Sequence, residues 1–146
     1  MIATGSWSST ETEILDVIND ETCSNLDEFP DKIRKAAVGA NLQGTPIVCG
    51  GFGRTDSPDS DKCYKFTNGK WKELTRMKKI RSYASGVIYK NKWHVFGGSA
   101  TDETYRTTSE IISIDGEVSD GPELETSVSR HAITTVNEKV SILSGG

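Results

Sequence analysis

The residues of this chain best suited to chemistry are few: two histidines, His94 and His131, three cysteines, Cys23, Cys49 and Cys63, and arginines that recur as Arg34, Arg81 and Arg130. A zinc site needs thiolates and imidazoles clustered at short spacings. Here there is no Cys-x-x-Cys pair, and the two histidines stand far apart. Nucleophilic and phosphate chemistry leave their own marks, a Gly-x-Ser-x-Gly elbow or a phosphate loop, and the chain has neither. No cofactor and no catalysis are expected. Both histidines read as strand residues, and the cysteines read as free thiols in a reducing cytoplasm. The absence of an Asn-x-Ser/Thr sequon points the same way.

The arginines are informative through their spacing. The chain carries Gly-Gly at Gly50–Gly51, Gly97–Gly98 and Gly145–Gly146, with a weaker match at Gly5. Second glycines are separated by 98 − 51 = 47 and 146 − 98 = 48, and Gly5 precedes Gly51 by 46. A fixed period in this range marks stacked supersecondary units. Arg34, Arg81 and Arg130 lie 17, 17 and 16 residues before those second glycines, and Ile14, Tyr64 and Ile111 lie 9, 13 and 13 residues after theirs.

The elements that would hold these residues are strands. Between arginine and glycines the sequence "RSYASGVIYKNKWHVFGG" reads as two β-rich runs joined by polar residues 90–92, which is hairpin grammar. A second hairpin follows in each unit, turning at Asn68–Gly69 and at Asp115–Gly116, dipeptides that suit the positive φ of tight turns. Each unit is then four antiparallel strands, a to d. The glycines end strand b, where the chain passes close to neighbouring backbone and a Cβ would obstruct it. The helical alternative at "FPDKIRKAAV" is set aside because Arg34 keeps the repeat phase.

Gly-Gly closing strand b, Tyr64 in strand c, Trp71 in strand d and an arginine opening strand a together resemble the kelch repeat, and the resemblance spans the chain. The best match is 34–80. The tryptophan position elsewhere reads Cys23 and Val118. The resemblance implies an all-β fold of propeller blades, divided as a partial blade 1–33, kelch repeats 34–80 and 81–129, and a partial blade 130–146. About three blades cannot close a ring, since propellers take roughly four to eight. The chain is then a fragment of a longer propeller, the preferred reading, or half of a homodimer that closes a six-bladed ring.

In kelch propellers the b to c and d to a connections share the usual recognition face. The resemblance implies that Arg34, Arg81 and Arg130 grip carboxylates or phosphates of a protein partner, unless each pairs with a loop aspartate. Asp59, Asp61, Tyr105 and Arg106, with Ser57, Asp102 and Glu103, are further candidates on those loops. Kelch proteins that recruit ubiquitin-ligase substrates or bind actin suggest a scaffold or adaptor role. The rival is a secreted propeller, oxidase-like or carbohydrate-binding. Cys49 and Cys63 fall near each other across strands b and c, but a cysteine before the strand c tyrosine also resembles cytosolic kelch sequences, so the free-thiol reading is kept.

A formal net charge of −4 gives no general attraction to nucleic acid or to anionic lipid, and neither partner is expected. The basic run Lys70, Lys72, Arg76, Lys78, Lys79 and Arg81 reads as the solvated side of an outer strand protected against edge pairing. No stretch reaches the roughly 18 apolar residues of a membrane span.

Overall fold

Two-residue turns with positive φ at both positions set the strand pairing. They occur at Gln43–Gly44 (52° and 82°), Asn68–Gly69 (53° and 73°) and Lys90–Asn91 (48° and 58°). This backbone twists with the strands it joins, so each turn fixes a hairpin register. At Asp115–Gly116 the connection is longer, closed by Ser113 N–H to Glu117 C=O at 3.0 Å.

The computed structural model describes residues 2–4, 11–16, 21–23, 26–31, 35–53, 59–100, 104–136 and 139–143. Arg34, Ser57, Asp102 and Glu103 lie outside the described residues. Strands β1 (Ile2–Thr4), β2 (Thr12–Asp16) and β3 (Glu21–Cys23) form a three-stranded sheet. Then come β4 (Val38–Leu42), β5 (Thr45–Cys49), β6 (Lys62–Thr67) and β7 (Lys70–Arg76), a four-stranded antiparallel meander. A second meander is made by β8 (Ser85–Tyr89), β9 (Lys92–Phe96), β10 (Ser109–Ile112) and β11 (Val118–Asp120). A hairpin of β12 (Ala132–Val136) and β13 (Lys139–Leu143) follows. The fold is all-β, and no helix occurs among the described residues. None is therefore long and apolar enough to cross a membrane.

The first strands of successive units lie side by side, with β8 packed against both β4 and β12. Between the two four-stranded sheets sits one apolar core containing Val38, Leu42, Ile47, Met77, Trp93, Val95 and Ile112. Trp93 is fully buried, and its indole lies over Gly86, where a Cβ would collide with Nε1. A second cluster covers the outer end of the first meander. There Trp71 meets Phe66 and Phe29 with ring centroids 5.0 and 5.1 Å apart, Phe29 meets Tyr64 edge-on, and Trp71 Nε1 donates to Thr12 Oγ1 at 2.8 Å.

Strand β7 is an edge strand. Lys70, Lys72 and Arg76 are exposed on it, while Trp71 points inward.

Candidate functional site

The glycine pairs join neighbouring units. Gly51 N–H donates to Arg81 C=O at 2.9 Å, and Gly98 N–H donates to Val128 C=O at 2.8 Å. A Cβ on Gly50 or on Gly97 would collide with those same two carbonyls, so close backbone approach is what requires glycine there. Both steps, 98 − 51 and 128 − 81, are 47 residues.

Beside these contacts runs a second set of repeated bonds. Ala36, Tyr83 and Arg130 are non-glycine residues with left-handed φ of 55°, 55° and 53°, spaced by 83 − 36 = 47 and 130 − 83 = 47. Tyr83 N–H donates to Ala36 C=O at 3.0 Å, and Arg130 N–H donates to Tyr83 C=O at 2.9 Å. Each unit thus hangs from the equivalent residue of the unit before it. Flanking this spine, the equivalent bridges Lys35 to Phe52 and Ser82 to Ser99 close the strand a and strand b ends.

This geometry corrects the sequence phase. Arg130 stands at the position of Tyr83, and the position of Arg81 in the next unit is Val128. The Tyr64 position of the second meander is likewise Glu110 instead of Ile111, because Tyr64 pairs with Val48 and Glu110 with Val95, 47 residues on.

Arg81 is not available to grip a partner. Its side chain is fully buried and ion-paired to Glu110, Nε to Oε1 at 3.0 Å. Nη1 donates to Gly97 C=O at 2.6 Å and Thr108 C=O at 2.8 Å, and Nη2 donates to Thr108 Oγ1 at 2.9 Å. Glu110 also accepts from the backbone N–H of Lys78 and Lys79 at 2.6 and 3.1 Å. A buried charge is tolerable when its hydrogen bonds are satisfied in this way. Burial lowers the Arg81 pKa, and the Glu110 carboxylate opposes that shift. The loop-aspartate alternative does not hold here either, since the acid comes from strand β10.

Cys49 and Cys63 are joined in a disulfide with Cα atoms 4.1 Å apart, which corrects the free-thiol expectation. The reason is register. The two face each other across β5 and β6, with Gly50 N–H to Lys62 C=O flanking them, so they form a non-hydrogen-bonded pair, the type in which Cα atoms approach most closely. Cys23 lies in β3 opposite Ile14.

The other predicted residues divide. Asp59 is buried. Asp61 Oδ1 accepts from Arg76 Nη1 at 3.2 Å. Arg106 Nε donates to Ile80 C=O at 2.9 Å. Tyr105 and Arg130 come together in a cleft of about 430 Å³ whose wall also holds Lys35, Phe52, Ser82, Tyr83, Ser99 and Ala100. Tyr105 is 61 % exposed. The Arg130 guanidinium lies over the Tyr83 ring at 4.4 Å, and Lys35 Nζ lies over Phe52 at 4.6 Å. Among the described residues that line the cleft, none is acidic. Sequence reasoning missed Lys35, Phe52 and Tyr83. The signal that finds them is the 47-residue step applied to the residues beside the glycines, where residue type varies but position does not.

His131 is buried, and burial holds its pKa below the ordinary imidazole value. Among the described residues neither of its ring nitrogens has a hydrogen-bond partner. His94 stacks on Phe96 in β9. Among the described residues no three His, Cys, Asp or Glu side chains are grouped as metal ligands.

No family model matches the chain, and no curated protein matches it. Among solved structures it is similar to that of YjhT, with a TM-score of 0.83 at 14 % identity, over 94 % of this chain and 52 % of that one. The likeness shows the fold. The chain spans about half the length of that structure.

Proposed function

We propose that the chain is a portion of a kelch-type β-propeller and works as a non-catalytic protein-interaction module, a recognition or scaffold part of a larger assembly. The observation that carries this reading is the cleft beside the spine. It is assembled from equivalent strand ends of successive units, it opens to solvent at Tyr105 and Arg130, and it gathers aromatic and cationic side chains. Tyrosine and arginine are the residue types that dominate the energetics of protein interfaces. The repeated spine and the meander sheets support blades arranged about an axis. Ring closure, by a second copy or by further chain, belongs to this proposal.

The test is affinity purification from the source cell with the intact protein and with Tyr83→Ala/Arg130→Ala side by side. Partners retained by the first and lost by the second support the module. An identical partner set, or stoichiometric copper in the purified protein, overturns it.

One observation favours a second reading. A buried disulfide in a small domain belongs with an oxidising compartment, so the Cys49–Cys63 bond supports a module that matures outside the reducing cytoplasm, as the secreted carbohydrate-binding alternative requires. Thiol titration of denatured, unreduced protein decides between them. One free thiol per chain supports the second reading, and three return the protein to the cytoplasm.

A further inference from the structure

We infer that Asn68 is a self-modifying site: in the turn between β6 and β7 the backbone nitrogen of Gly69 attacks the Asn68 side-chain amide and converts it to an isoaspartyl or aspartyl residue. The inference is independent of the interaction reading above.

The chemistry needs no reactant but water. The Gly69 nitrogen loses its proton and bonds to Cγ of Asn68, the Cγ–Nδ2 bond breaks, and ammonia departs to leave a five-membered succinimide. Water then opens that ring. Opening at the side-chain carbonyl gives an aspartyl residue, and opening at the main-chain carbonyl gives an isoaspartyl residue whose backbone runs through Cβ and Cγ. Asparagine is a thermolabile residue, and a following glycine leaves the attacking nitrogen without a Cβ beside it. Asn68 is the one asparagine of the chain that precedes glycine.

The structure selects among the sites that could form such a ring. Asp115 and Asp120 also precede glycines, but there the attacking nitrogen is engaged. Gly116 N–H donates to Ser113 C=O at 3.1 Å, and Gly121 N–H donates to Ser109 C=O at 3.0 Å. The Asp115–Gly116 turn also lies against Leu74 of β7, and the Ser113 hydroxyl donates to the Asp115 carboxylate, which stays ionised and is a poor electrophile. Asn68 and Gly69 are exposed, and the space where a Cβ of Gly69 would stand is open. The ladder closes at Thr67 with Lys70, so the Gly69 N–H lies outside it.

The reaction acts on the register of the first sheet. An isoaspartyl residue adds a main-chain carbon to a two-residue turn, and Trp71 follows directly after Lys70. Trp71 N–H donates to Asp27 Oδ2 at 3.3 Å and its indole to Thr12 Oγ1 at 2.8 Å, while Asp27 N–H donates to Gly69 C=O at 3.4 Å. The isoaspartyl product therefore loosens the aromatic seal of this sheet. The aspartyl product suits the same turn and leaves the seal in place.

The test is to hold the intact protein at mildly alkaline pH, digest it, and map the peptides by mass spectrometry, with isoaspartyl methyltransferase labelling to separate the two products. Asn68→Gly is the control, since Gly-Gly also suits the turn and carries no amide. The expected result is loss of the amide and gain of label in the peptide carrying 68–69, no label at 115–116 or 120–121, and neither change at position 68 in Asn68→Gly. The isoaspartyl form, isolated by ion exchange, should unfold at a lower urea concentration than Asn68→Asp. An Asn68 amide that survives in the aged protein, or label that builds up at Asp115 or Asp120 as fast as at Asn68, overturns the site. An isoaspartyl form as stable as Asn68→Asp overturns its effect on the seal.

Discussion

The two four-stranded sheets share one backbone plan and are fastened by different chemistry. In both, a meander ends strand b in a glycine pair that bonds to the next unit 47 residues on. The first, β4 to β7, ties strands b and c with the Cys49–Cys63 disulfide and seals its outer end with Phe29, Tyr64, Phe66 and Trp71. The second, β8 to β11, has Phe96 and Ser109 where the first has the cysteines, and Glu110 in place of Tyr64. It is held by the Arg81–Glu110 pair, which also reaches back to the backbone N–H groups of Lys78 and Lys79 in the connection from β7. At the Trp71 position it has only half-buried Val118. The repeat thus specifies where backbone groups must meet and leaves open which side chains secure them. That freedom is also what lets Ala36, Tyr83 and Arg130 differ along the spine and give the cleft its character.

The comparison breaks most severely at the ion pair. Glu110→Leu leaves the Arg81 guanidinium buried without its acid, and unfolding free energy should fall by about 3 to 5 kcal/mol. The double variant Arg81→Met/Glu110→Leu should recover most of that loss in urea denaturation, because no charge is then left unpaired. A double variant as unstable as the single one would show that the pair contributes more than mutual neutralisation.

The disulfide comes next. Its closed loop, with a sequence separation of 14, predicts a loss of about 3 kcal/mol for Cys49→Ala/Cys63→Ala. Calorimetry that finds no change would place the stability of the first sheet in its aromatic cluster alone. Trp71→Phe probes that cluster more gently, since a ring remains but the bond to Thr12 is lost. A decrease of roughly 1 to 2 kcal/mol is expected, and denaturation equal to that of the wild type would remove Thr12 from the account.

The smallest effect is a pH dependence at the far side of the second sheet. Burial holds the folded-state pKa of His131 below the unfolded value near 6.5. Between the two values the unfolded chain binds more protons, so stability rises with pH through that window and is lost as pH falls through it. His94, whose pKa burial also lowers, contributes in the same direction. His131→Leu should therefore flatten the stability profile below about pH 6.5 without abolishing its slope. A profile superimposable on the wild type would show that His131 is protonated at little cost.

Much of this architecture was legible in the sequence because it is local. Asn68–Gly69 specifies its hairpin through φ preferences of two adjacent residues, and the glycine pairs announce a close backbone approach wherever it occurs. The all-β assignment followed from the same short-range signals. What the sequence did not disclose depends on register between strands or between units. Arg81 and Arg130 are the same residue type at nearly the same distance from a glycine pair, yet one is sealed against Glu110 and the other lies open over Tyr83, because the bond from Gly98 to Val128 shifts the third unit by two residues relative to the arginines. Counting 47 from Gly98 reaches Gly145, so the second glycine of the last pair was the misleading landmark. The disulfide was hidden for a similar reason, since the cysteines meet only once β5 and β6 are paired in register.

The claim that equivalent units carry independent fasteners is tested most directly by hydrogen exchange, followed by mass spectrometry, on Cys49→Ala/Cys63→Ala and Glu110→Leu together. In units fastened separately, local opening follows the fastener that was removed. The cysteine variant should accelerate exchange in 45–49 and 62–67 while leaving 92–96 and 109–112 near their wild-type rates, and Glu110→Leu should do the reverse. Equal acceleration of both sheets in both variants would contradict the account and show one fastening system shared by the whole fold.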